Sequence, residues 1–142
     1  MKIEKCFLIN LNRRQDRLVK FNNTIKKELD IDVERVEAVD GRLLEYNDEL
    51  LKRINPWNIV NKVVKRFGVI GCCMSHLEVF KRMSFEEDKI YLVFEDDVIS
   101  TDNNFTLNDV LKLDVPDDWG MIFLNEPLSN GKIQNNYDNI KI

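Results

Sequence analysis

Two short stretches, Cys6-Phe-Leu-Ile-Asn-Leu11 and Ile90-Tyr-Leu-Val-Phe94, are apolar at nearly every position instead of every second one. A strand with one wet face alternates, so an almost continuous run of this length predicts a strand buried on both faces, as in a parallel sheet. After the first run, Asn12 is placed to cap a helix beginning with Arg13 and Arg14. Leu18, Phe21, Ile25 and Leu29 then recur at helical spacing and make one apolar face. Val33-Glu-Arg-Val-Glu-Ala-Val39 reads as a second strand closed by the turn pair Asp40-Gly41. Strand, helix, strand in this spacing is a βαβ opening.

Further along, a helix is expected through Glu49–Arg53, ending before Pro56, and another over 59–66. Gly68 and Gly71 punctuate the entry to a stronger helix whose stripe is Ile70, Cys73, Met74, Leu77 and Phe80. Residues 110–113 read as helical, Pro116 breaks the chain, and Met121-Ile-Phe-Leu124 reads as a last buried strand. The Asn-rich stretch from Ser129 onward resembles a frayed or truncated end. The order predicts an α/β fold, a mostly parallel sheet flanked by helices, in one domain over residues 1–142.

Composition excludes some classes of function. A net charge of −4 argues against nucleic acid as the main partner, while leaving room for a phosphate-bearing small ligand held through a metal or local arginines. No apolar run approaches the ~20 residues that span a bilayer, and the start carries no secretory signal. The cysteines are odd in number, and Cys72 and Cys73 are adjacent, so no disulfide framework is visible. A reducing, cytoplasmic setting is the default, with Cys72 and Cys73 as fillers of a core and a helix surface.

The acidic run Glu95-Asp96-Asp97 is the strongest chemical signal, because it closes the second apolar strand. Ligands of open α/β sheets collect outside the carboxyl ends of the strands. If extended backbone continues past Phe94, Glu95 and Asp97 share a face and Asp96 opposes them. Adjacent carboxylates repel, and Mg²⁺ or Mn²⁺ completed by substrate phosphates relieves that cost; the competing reading is a solvated acidic turn. His76, beside Ser75, is the single histidine, and the sequence shows no suitable third partner with which it would make a nucleophile triad or a zinc site. Arg13, Arg14 and Arg17 at a helix start suit a phosphate, or merely solubility. Asp40-Gly41 suits a ribose or base edge, or a simple turn.

Taken together, Ile9–Arg17, Val36–Gly41, Gly68–Leu77, Phe94–Val98 and Trp119–Leu124 resemble, in order, the segments of glycosyltransferase family 25, the family of lipopolysaccharide β-galactosyltransferases and procollagen galactosyltransferases. The resemblance implies a GT-A-like nucleotide-sugar-binding fold, a UDP-sugar donor (most often UDP-galactose), Mn²⁺ or Mg²⁺, and transfer with inversion to a glycan or protein acceptor. It implies Asp97 and Glu95 as metal ligands, with Asp96 on the ribose or helping to hold the metal. It places Asn10, Arg13, Arg14 and Asp40 near the nucleotide, and Ser75 and His76 along the donor pocket. An inverting transfer also needs a carboxylate base, which the family carries after the metal motif. Glu126 is the tempting acid there, but Pro127 follows it directly and it is not assigned. The expectation is therefore a fragment, a shortened relative or one half of a split enzyme. An inactive nucleotide-sugar-binding module is the alternative. A receiver domain ranks last, because its acids belong after the first strand, where this chain has Asn10 and Asn12.

Overall fold

The structure, a computed structural model, describes residues 2–30, 32–45, 67–83, 89–99, 112 and 120–124. The chain divides into two compact units, Met1–Thr101 and Asp102–Ile142. The first unit holds β1 (Lys2–Asn10), α1 (Gln15–Asn23), α2 (Ile25–Leu29), β2 (Val33–Glu37), a 3₁₀ turn (Gly41–Leu43), α3 (Phe67–Arg82) and β3 (Lys89–Glu95).

The strands form a parallel sheet in the order β2-β1-β3, with β1 central. Cys6, Phe7, Leu8, Ile9 and Asn10 are all buried, as a strand covered on both faces must be. Alternation along β1 sends its side chains to two separate cores. Phe7 and Ile9 meet Val36 and Val79 on the α3 side. Leu8 meets Phe21 and Ile25 on the α1–α2 side. From β1 the chain reaches β2 on one flank and β3 on the other, so the strand order reverses between β1 and β3. Such a switch point splays the connections apart and leaves a crevice at the carboxyl ends. Register brings those ends level, since Asn10 pairs with Glu37 and Ile9 with Glu95.

Several expectations are corrected. The first helix starts at Gln15, two positions later than expected, and Asn12 does not cap it. Asn12 is instead an acceptor for Gln15 Nε2 and Arg35 Nη2. The single amphipathic helix is two, broken at Thr24, whose hydroxyl donates to the Lys20 carbonyl at 2.9 Å and whose backbone leaves the helical region. Such back-bonding by a hydroxyl competes with the helical ladder. On α3 the buried residues are Ile70, Gly71, Ser75 and Val79, while Cys73 and Leu77 are exposed. The helix turns its small residues inward, because its first turns touch backbone. β3 pairs only with β1 among the described residues, and its Tyr91, Val93 and Phe94 are half-buried where full burial was expected. In the second unit, Met121–Leu124 form no strand, and Phe123 is 59% exposed. An apolar run becomes a strand only where neighbouring backbone takes its hydrogen bonds, and the run itself cannot reveal whether a partner exists. The expected helices over 49–53 and 59–66, most of the segment expected to be helical over 110–113, and the polar end lie outside the described residues.

Candidate functional site

A cleft of about 550 Å³ opens at the carboxyl ends of the strands, lined by Ile9, Arg13, Arg17, Val39–Arg42, the first turns of α3 and the acidic run. That volume falls within the range of about 300–1,000 Å³ usual for small-molecule sites. Its position follows from the switch point between β1 and β3.

Extended backbone stops at Glu95: the Val98 amide donates to the Glu95 carbonyl at 3.1 Å, making Glu95–Val98 a tight turn. The three acids therefore do not sort by strand alternation, and their environments divide them another way. Asp96 turns inward and its side chain is 8% exposed. Its Oδ2 accepts from Asn10 Nδ2 at 2.8 Å and the Leu11 amide at 3.4 Å, and its Oδ1 from Arg17 Nη1 at 2.7 Å. Glu95 and Asp97 stay outward, at 53% and 62% exposure. Asp97 is tethered only loosely, to Arg17 at 3.4 Å. Glu95 receives His76 Nε2 at 3.1 Å, with Cys72 Sγ at 4.0 Å.

Asn10 sits fully buried beneath this turn, and its amide is fully used. Its Nδ2 donates to Asp96 and to the Arg14 carbonyl at 3.1 Å, while its Oδ1 accepts from Arg35 Nε at 2.9 Å. One amide thus ties together the ends of β1 and β3, the start of α1, and β2. Across the cleft Asp40 caps the 3₁₀ turn by accepting from the Arg42 amide at 3.0 Å, and pairs with Arg13 at 2.5 Å. The Arg42 amide first, and the Arg13 guanidinium second, hold the Asp40 carboxyl below its ordinary range.

The wall formed by α3 depends on close backbone approach. Ser75, fully buried, donates its hydroxyl to the Gly71 carbonyl at 2.6 Å and accepts from the Val39 amide at 2.8 Å. A Cβ on Gly71 would lie 2.5 Å from the Val39 carbonyl oxygen, and one on Gly41 2.1 Å from that of Phe67. Gly68 meets nothing within 4 Å. Packing against β2's continuation, not turn punctuation, is what Gly71 serves.

Of the sequence-predicted residues, Arg13, Asp40, Ser75, Glu95, Asp96 and Asp97 line the cleft. Asn10 lies beneath it, and His76 reaches it through Glu95. Arg14 is drawn away by a bidentate pairing with Asp16, at 2.8 and 2.6 Å, which pulls the Asp16 carboxyl down to about 2. Arg17 is the helix-start cation that pairs with the acids, with Asp96 at 2.7 Å and Asp97 at 3.4 Å. Cys72, read as a filler, lines the cleft, and burial, then Glu95, raises its thiol pKa. Glu95 and Asp97 are exposed carboxylates lining the cleft, the residue type that could hold a hard divalent cation.

The model of glycosyltransferase family 25 (LPS biosynthesis protein) matches residues 3–140. Procollagen galactosyltransferase 2 of Homo sapiens is 37% identical over 107 residues, which cover 69% of this chain and 16% of that protein. Procollagen galactosyltransferase 1-A of Xenopus laevis is 35% identical over 105 residues, again 69% of this chain and 16% of the relative. The probable inactive glycosyltransferase 25 family member 3 of Rattus norvegicus is 28% identical over 138 residues, 87% of this chain and 23% of its own length. The chain thus spans less than a quarter of the length of these relatives. No solved structure matches. The parallel sheet, the acidic turn at its switch point and a family match running from the first strand past that turn lead to one conclusion: the chain belongs to glycosyltransferase family 25.

Proposed function

We propose that this chain is the donor-binding part of a GT-A-like glycosyltransferase. Its enzyme moves a hexose, galactose by the relatives' names, from a UDP-sugar to a glycan or protein acceptor with inversion. The observation that carries this reading is the division of labour in the acidic turn: Asp96 is spent on structure, and Glu95 and Asp97 are left facing solvent at the cleft.

In this reading Glu95 and Asp97 hold Mn²⁺ or Mg²⁺, which when bound supplies positive charge for the diphosphate and its leaving group. Arg13 and Arg17 line the same cleft and offer guanidinium donors to phosphate oxygens. Asn10 and Asp96 act by holding the turn in place, and Asp40 presents a carboxylate fixed by its cap to the sugar or base edge. Ser75 keeps α3 against β2 and so keeps the cleft wall in register. Among the described residues no carboxylate is assigned as the base that takes the acceptor's proton.

A second reading, a nucleotide-sugar-binding module without turnover, is favoured by the rat relative named as probably inactive, whose match covers more of this chain than those of the galactosyltransferases above. Release of UDP from UDP-galactose, with Mn²⁺ and with or without a sugar acceptor, separates the two. Acceptor-dependent release supports the transferase, and metal-dependent UDP binding without release supports the module. No binding at all overturns both.

A further inference from the structure

Cys72 and His76 stand one helical turn apart on α3, so their side chains project from the same face. Opposite them is Glu95, where β3 ends. Cys72 Sγ, His76 Nε2 and a Glu95 carboxylate oxygen all lie within 4.8 Å of one another. Glu95 Oε1 is 3.1 Å from His76 Nε2 and 4.0 Å from Cys72 Sγ.

The His76–Glu95 separation is close to an edge of a tetrahedron around zinc, and the Cys72–Glu95 separation is somewhat longer than one. With Zn–N and Zn–O near 2.0 Å and Zn–S near 2.3 Å, ligand atoms sit about 3.3 Å apart for N and O and about 3.5 Å for S and O. A hydrogen bond or ion pair accounts for His76 and Glu95, whereas the Cys72 thiol stands 4.0 Å from the same carboxylate oxygen, at the far limit of an S–H···O bond, so hydrogen bonding explains its place only weakly. None of the three is deeply buried, so an ion can reach them without the fold opening. Three protein ligands with a fourth position open to a cleft is the pattern of an accessible zinc site, whereas closed structural sites use four.

We propose that Cys72, His76 and Glu95 form a binding site for a thiophilic divalent cation, Zn²⁺ or its spectroscopic substitute Co²⁺. The thiolate and imidazole select this class over Mg²⁺ and Mn²⁺, which prefer oxygen. On binding, Cys72 gives its thiol proton to solvent and its sulfur lone pair to the metal, with no change of oxidation state. Because Glu95 would also serve a nucleotide-bound Mn²⁺, Zn²⁺ on this site opposes the binding assigned to the cleft under the proposed function. The coordination itself does not depend on that reading.

The test is titration of the full chain with Co²⁺, following the near-ultraviolet cobalt–thiolate band, and then displacement of the cobalt by Zn²⁺. The band is expected in the wild type and in Cys73→Ser, lost in Cys72→Ser, and weakened at least about tenfold in cobalt affinity in His76→Ala, since even outer partners of a metal contribute that much. Absence of the band in the wild type, or its survival in Cys72→Ser, overturns the site. Circular dichroism of each variant shows whether it has folded; the exposed Cys72 is not part of either core. UDP binding with Mn²⁺, measured on the same samples, reports on the proposed function separately from the cobalt band.

Discussion

The Asn10 side-chain amide donates to the Asp96 carboxylate at 2.8 Å, joining the end of the central strand to the acidic turn 86 positions away. Both groups are shielded from water, and both are fully engaged with neighbours. Replacing Asn10 with Ala leaves the Asp96 carboxylate, the Arg14 carbonyl and the Arg35 guanidinium each short of a partner. The expected cost is about 2–4 kcal/mol, the range for stranding shielded polar and charged groups. Urea denaturation of the wild type and the variant measures it, and a loss under about 0.5 kcal/mol, ordinary for an exposed site, would show that Asn10 is not the tie described.

Gly71 and Gly68 separate packing from helix propensity. Gly71→Ala puts a methyl 2.5 Å from the Val39 carbonyl oxygen, so α3 must retreat from β2. A loss of about 1–3 kcal/mol is expected, as for other overpacked sites. Gly68→Ala meets nothing, and is expected to be neutral or slightly stabilising. Thermal melts of the two variants side by side decide the matter; equal behaviour would contradict the close approach of helix and strand.

Burial raises the Cys6 thiol to about 11. The unfolded thiol loses its proton near 8.5, so between these values the folded state holds more protons than the unfolded one. Stability from this group is complete below about pH 8.5 and is lost progressively as pH rises towards about 11. The wild type should therefore weaken over this interval more steeply than Cys6→Ala in denaturant titrations at several pH values. Parallel curves would show that the thiol is not the group responsible.

Asp40 behaves in the opposite sense, because its carboxyl is held below its ordinary value. Its contribution is present above the unfolded carboxyl's pKa of about 3.9 and disappears as pH falls through the lowered value. A carboxyl-carbon NMR titration should place the Asp40 midpoint below about 3.9. Arg13→Ala should bring it only part of the way back, since the larger cause is the Arg42 amide. A full return would make Arg13 the main cause and the turn cap the minor one.

What could be read from the sequence was what depends on local pattern. The unbroken apolarity of Cys6–Ile9 requires cover on both faces, and the structure covers both. Proximity of the acids to a strand end was legible too, and the family resemblance agrees with the family model that matches residues 3–140. Pairings between distant residues were not. Nothing local marks Asp96 as the acid that turns inward, because its partners Asn10 and Arg17 come from β1 and α1. Arg14 and Arg17 look alike in sequence, and Asp16, the immediate neighbour of Arg17, pairs instead with Arg14 two positions back. The inward face of α3 was misread because hydrophobicity points to Cys73 and Leu77, whereas contact with backbone calls for Gly71 and Ser75.

Calorimetric titration of UDP, with and without Mn²⁺, into the wild type and Asp97→Ala tests the central claim most directly. Asp97 is mostly exposed and loosely held, so its loss should leave the fold intact. The wild type is expected to bind UDP more tightly when Mn²⁺ is present, and Asp97→Ala to lose that gain. UDP affinity independent of both the metal and Asp97 would contradict a metal-bridged nucleotide-sugar site at the acidic turn.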